Sequence, residues 1–109
     1  MADWYQVVTT TDSATEADTL AEGIVAERLG ACVHVIGPIT SVYRWDGEVT
    51  HDQEWRLVIK TAAQRLAELI RYVETHHSYA VPMVVATEIV TGSADYLDWV
   101  RRETRPRSG

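Results

Sequence analysis

The sequence predicts an α+β domain, and three observations carry that prediction. The chain opens on a run rich in aromatic and β-branched residues, Trp4 to Thr11, as a strand requires. Two stretches with apolar residues at helical spacing each follow a Ser/Thr-x-x-Glu/Gln signature. Asp46-Gly47 separates two long β-rich runs, and a type I′ hairpin turn needs the positive φ that such a pair tolerates.

Taken in order, Trp4 to Thr11 is strand one. Ser13-Ala14-Thr15-Glu16 reads as a capping box, after which Ala17, Leu20, Ala21, Ile24 and Val25 recur at helical spacing; Gly30 is suited to close that helix in a left-handed conformation. Strand two is expected from Ala31 to Trp45 and strand three from Glu48 to Thr61. Gly37-Pro38 marks a bulge or bend in strand two, because proline cannot donate to a ladder. Thr61-Ala62-Ala63-Gln64 reads as a second capping box, leading into Leu66, Leu69, Ile70 and Val73 and a helix ending at about His76. Met83 to Val90 is strand four, Thr91-Gly92 turns, and Ser93 caps a short helix carrying Ala94, Leu97 and Val100. The order β-α-β-β-α-β-α is that of a ferredoxin-like βαββαβ sandwich with a C-terminal helix.

One domain is expected for 109 residues of which 46% are hydrophobic and 24% charged, with a free tail from about residue 103. Sixteen acidic against 10 basic residues give a net charge of -6, which disfavours a phosphate backbone as partner; nucleic acid is excluded on that ground. No apolar run reaches the length of a bilayer span and the first residues lack a signal-peptide pattern, so no membrane association and a cytoplasmic location are expected. Cys32 is the only cysteine, which rules out an intrachain disulfide and a four-cysteine zinc site.

Strands two and three, at about 14 residues and ~3.3 Å per residue, make a hairpin roughly 45 Å long. A compact domain of this size has a radius of gyration of only about 13 Å. The hairpin is therefore expected to project, exposing Tyr43, Trp45 and also Trp55 unless it bends sharply at Pro38. Strand four is apolar from Val81 to Ala86 almost without alternation, the pattern of a strand covered on both faces, while two helices cover one. A closed homo-oligomer follows as the expected way to cover the rest.

Five stretches then stand in a fixed order: Gly30-Ala31-Cys32-Val33, Ser41-Val42-Tyr43-Arg44-Trp45-Asp46-Gly47, Glu54-Trp55-Arg56-Leu57-Val58-Ile59-Lys60-Thr61, His77-Ser78-Tyr79-Ala80-Val81-Pro82 and Tyr96-Leu97-Asp98-Trp99. In this order the sequence resembles the CutA, or divalent-cation-tolerance, family over nearly its whole length. The resemblance implies a tight homotrimer with PII-like architecture held by long hairpins, a link to tolerance of copper and other divalent cations, and ligand sites in clefts between subunits. It implies no catalytic mechanism, so the protein is expected not to be an enzyme. A PII-like small-molecule sensor is the alternative, and a small hydrolase ranks below both because no nucleophile motif or phosphate cradle is visible. Where relatives typically read His-Pro-Tyr and Pro-Glu, this chain has His77-Ser78-Tyr79 and Pro82-Met83; where some carry a cysteine at the end of strand one it has Thr9-Thr10-Thr11.

The candidate cleft residues are Cys32, Tyr43, Trp45, Glu54, Lys60, His77 and Tyr79, with His77 and Cys32 the candidate ligands for copper or another divalent cation. Adjacent helical residues point about 100° apart, so His76 and His77 do not chelate one ion together; His76 is read as a favourable cation at a helix end. Cys32 and His34 share one strand face and offer a sulfur and a nitrogen, though a lone cysteine usually packs as a small hydrophobe. His51 is read as solvated. Lys60, the only lysine, is expected to meet a carboxylate such as Glu54 or Glu88. Tyr43, Trp45 and Trp55 are read mainly as interface residues.

Overall fold

The computed structural model describes residues 2–107. Its elements are β1 (Trp4–Thr11), α1 (Ala14–Ala26), β2 (Cys32–Trp45), β3 (Glu48–Ala62), a 3-10 turn (Ala63–Arg65), α2 (Leu66–His76), β4 (Val84–Glu88) and α3 (Ala94–Glu103). The strands form one antiparallel sheet in the order β2-β3-β1-β4. This is a mixed α+β fold of four strands and three helices.

Strand alternation sorts the sheet into two faces. Val7, Leu57 and Ile59 point to one face and are buried with Ala17, Leu20 and Ile24 of α1 and Leu69 and Val73 of α2, which together make the core. The second face receives α3 at one end only: Trp4 Nε1 donates to the Leu97 carbonyl at 2.9 Å, and the Arg101 guanidinium lies 4.5 Å from the centre of the Trp4 ring.

The β2–β3 ribbon projects as expected and gives the chain its longest dimension, 45 Å. Asp46 and Gly47 at its tip have φ of 53° and 78°, the left-handed pair that a type I′ turn requires. Towards the root, Ile36 pairs with Arg56 but Ile39 pairs with Glu54, so Gly37 and Pro38 together oppose the single residue Trp55. That extra residue is a β-bulge, and it inverts the alternation of β2 beyond it. Tyr43 and Trp45 therefore share a face with Asp52 and Glu54; with regular pairing, Val42 and Arg44 would. Trp55 differs from expectation: it is half-buried, packs on the core, and its indole fills the space over Gly37. Tyr43 and Trp45 do lie exposed.

Several local expectations are corrected. Helix α1 stops at Ala26, and Arg28 (φ 60°) takes the left-handed position, not Gly30. Gly30 is needed for close approach instead, since a Cβ there would lie 2.6 Å from Ile59 Cγ2 and 3.0 Å from Ile24 Cγ2. The first capping box is half formed: the Glu16 amide donates to Ser13 Oγ at 3.0 Å, but the Glu16 carboxylate accepts from the Ser78 amide. The second does not form. Thr61 stays inside β3, its hydroxyl donating to the Leu29 carbonyl at 2.7 Å, and α2 begins after the 3-10 turn with no side-chain cap. Strand β4 is shorter than Met83–Val90, and Ser93 flanks α3 without a capping bond from its side chain. Residues 104–107, expected as a free tail, carry specific bonds: Thr104 is buried, and Arg107 Nη2 donates to the Ala26 carbonyl.

Candidate functional site

The seven candidate residues fall in three places. The largest group forms where the end of β1, the start of α1, the segment after α2 and the middle of β3 converge. His77, its side chain fully buried, donates from Nε2 to the Thr10 carbonyl at 2.7 Å. The Tyr79 amide donates to His77 Nδ1 at 3.1 Å. A carbonyl can only accept and an amide N–H can only donate, so these partners define the neutral ring with its proton on Nε2. The Glu16 carboxylate approaches Nδ1 at 3.7 Å, and the Tyr79 ring tilts against the imidazole at 4.8 Å between centroids.

Held by this arrangement, the Tyr79 hydroxyl donates to Glu54 at 2.8 Å. Glu54 is only 9% exposed. Alongside, Tyr43 Oη donates to Asp52, a diagonal cross-strand contact that exists because the bulge turned Tyr43 onto that face. Both phenols are held above the usual tyrosine range. For Tyr79 the first cause is burial, then the bond to Glu54 and the negative field of Glu54 and Asp12; for Tyr43 it is the bond to Asp52, then burial.

The second place is the root of the ribbon. Cys32 pairs across the strands with Lys60, and its Sγ stands 3.6 Å from His34 Nε2. Burial first, and then the neighbouring Cys32 sulfur, raises the ionisation of Tyr96 of α3 above the usual range. Lys60 makes no ion pair among the described residues, contrary to expectation. Glu54 lies six positions along the same strand, about 20 Å away at ~3.3 Å per residue, and Glu88 pairs with Tyr5, whose side chain faces the other side of the sheet from Lys60. The third place is the ribbon tip, where Trp45 opposes Glu48.

Sequence reading missed Glu16, Asp12, Asp52 and Tyr96. Glu16 was visible only as a capping residue. Nothing local ties Asp52 to Tyr43 or Tyr96 to Cys32. As to a metal, no three His, Cys, Asp or Glu side chains gather as a ligand set among the described residues. His77 has no ring nitrogen to spare, and Cys32 with His34 supplies two donors where tetrahedral zinc takes four. One chain alone does not make a closed metal shell.

A small α+β chain with a long projecting ribbon and a Tyr-Glu-His cluster beside it defines a recognisable class. The family model described as "CutA1 divalent ion tolerance protein" matches residues 5–103, and the chain belongs to that family. It is 44% identical over 98 residues to the "Divalent-cation tolerance protein CutA" of Thermus thermophilus, covering 90% of this chain and 95% of that one. It is 45% identical over 86 residues to "Protein CutA, chloroplastic" of Arabidopsis thaliana, covering 79% of this chain but 47% of that longer protein. Among solved structures, a Cut A1 divalent cation tolerance protein from Thermus thermophilus superposes with a TM-score of 0.90 at 42% identity, over 94% of this chain and 99% of the other. None of these names describes a catalysed reaction.

Proposed function

We propose that the protein acts in divalent-cation tolerance as a cytoplasmic homotrimer of ferredoxin-like subunits with PII-like architecture, taking copper or another divalent or soft cation, or a small ligand, in clefts between subunits. The observation that carries this reading is the ribbon. Val42 and Val49 on one side of it are 58% and 59% exposed, and Trp45 on the other side is 60% exposed, so both sides of its outer half are apolar and bare. On the sheet, Val85 is 50% exposed. Apolar surface of this kind on an unpaired arm favours burial against further copies of the chain. The clusters around Tyr79–Glu54 and Cys32–His34 both border that surface, so a neighbouring subunit would complete them.

For the cation, Cys32 and His34 are the better donors, with further ligands from neighbouring subunits; His77 serves as a support that positions Tyr79. That full engagement of the His77 ring favours a second reading, a small-molecule regulator without a specific metal. No nucleophile is activated in either cluster, and the protein is taken not to be an enzyme.

Light scattering at micromolar concentration should give three times the chain mass; a stable monomer refutes the assembly. Isothermal titration with Cu(I), Cu(II), Zn(II) and nucleotides separates the two readings. Metal binding lost in Cys32→Ser supports the cation, a nucleotide heat without metal supports the regulator, and metal heats unchanged in both Cys32→Ser and His77→Ala refute a cation site at either residue.

A further inference from the structure

The basic C-terminal stretch, which the functional reading above does not use, folds against the end of α1. There an open cavity at the surface, of about 510 Å³, is lined by Val25, Ala26, Arg28, Arg105, Pro106 and Arg107. Three of the six are arginines and none is acidic. The Arg65–Glu68 ion pair and the approach of Glu16 to His77 involve none of the three.

Two of these guanidinium groups are held in place. The left-handed backbone of Arg28 sends its side chain across to the C-terminal segment, where Nε donates to the Arg105 carbonyl and Nη2 to the Arg102 carbonyl, both at 2.7 Å. Arg107 Nη2 donates to the Ala26 carbonyl at 3.1 Å. Each keeps unused N–H groups on its other nitrogens, and the Arg105 side chain makes no hydrogen bond among the described residues. Capping of helix ends accounts for only part of this charge: the carboxyl ends of α1 and α3 together present roughly one negative charge against three positive ones. The surplus sits in a chain whose net charge is -6, so it is a local feature and not a consequence of overall composition.

We propose that this cavity binds a small phosphate-bearing anion. Guanidinium forks match the oxygens of a phosphate, and three of them suit a dianion better than a single carboxylate. The volume exceeds that of the phosphate alone, and Val25 and Pro106 offer apolar surface to an organic remainder.

The test is isothermal titration of the full chain, at constant chloride, with inorganic phosphate and separately with adenosine monophosphate. Saturable binding of one equivalent per chain is expected, tighter for the monophosphate ester if the organic part is held and equal for both if the phosphate alone is read. Arg105→Ala should weaken it about tenfold, the loss of one charge-assisted contact, while Arg71→Ala, an exposed arginine elsewhere, should leave it unchanged. Absence of saturable binding at millimolar ligand, equal affinity in Arg105→Ala, or equal weakening in Arg71→Ala overturns the proposal. Arg105 bears no load on the fold through its side chain, so its variant remains informative should Arg28→Ala fail to fold.

Discussion

Replacing Tyr79 by phenylalanine removes one oxygen and tests the centre of the candidate site. The hydroxyl donates at 2.8 Å to Glu54, a carboxylate only 9% exposed that has no other hydrogen-bond donor among the described residues. A hydrogen bond to a charged group contributes about 1.5–3 kcal/mol, and the variant leaves the carboxylate buried and unpaired, so a destabilisation of that size is expected. At about 4–8 °C per kcal/mol for a domain of this length, the midpoint of thermal unfolding should fall by about 6 °C or more. Urea unfolding at one fixed protein concentration measures it, because under the proposed assembly the midpoint depends on concentration. A double-mutant cycle with Glu54→Gln isolates the pair. A loss below about 0.5 kcal/mol, or strict additivity in the cycle, would refute the contact. The pair also sets an alkaline limit. The phenol of Tyr79 ionises above its unfolded value, so its contribution is complete below about pH 10 and is lost as the pH rises through the raised folded value. Tyr79→Phe should flatten that alkaline decline.

Thr9→Val should stabilise the protein by about 1 kcal/mol, because the Thr9 hydroxyl is fully buried with no partner among the described residues and the valine keeps its shape; a loss in urea unfolding would show that the hydroxyl is satisfied. Gly30→Ala should cost about 1–3 kcal/mol by overpacking against Ile59 and Ile24, and a neutral result would contradict the close approach. If the proposed trimer uses the ribbon tip, Trp45→Asp should leave far-ultraviolet circular dichroism intact while lowering the mass in light scattering at micromolar concentration, and an unchanged mass would remove the tip from the proposed interface.

The order of strands and helices was legible because each rests on a local signal: the aromatic and β-branched run of β1, the i, i+3, i+4, i+7 pattern in α2, the Asp46-Gly47 turn. What misled were local signals outvoted by long-range contacts. Thr61 has the residue type of a helix cap, but strand pairing with Tyr5 keeps it extended and the Leu29 carbonyl takes its hydroxyl. Gly30 looks like a helix terminator, yet the space between Ile24 and Ile59 is what demands it. In the site, His77 and Tyr79 were named together through the family resemblance, and the Tyr79 amide does donate to His77 Nδ1. Glu54 was named, but its partner is 25 positions away and no periodicity links them. Lys60 was given a carboxylate partner from charge alone, and strand geometry keeps it from Glu54 and Glu88 within the chain.

The extra residue at Gly37-Pro38 sets the phase of the whole outer ribbon. Deleting one of the two would rotate each later side chain of β2 to the opposite side, sending Tyr43 away from Asp52 and bringing Val42 and Arg44 in its place, with every amino acid beyond the deletion unchanged. The identity of the residues on either side of that ribbon is thus decided by counting, at a point some six residues before the first of them that matters.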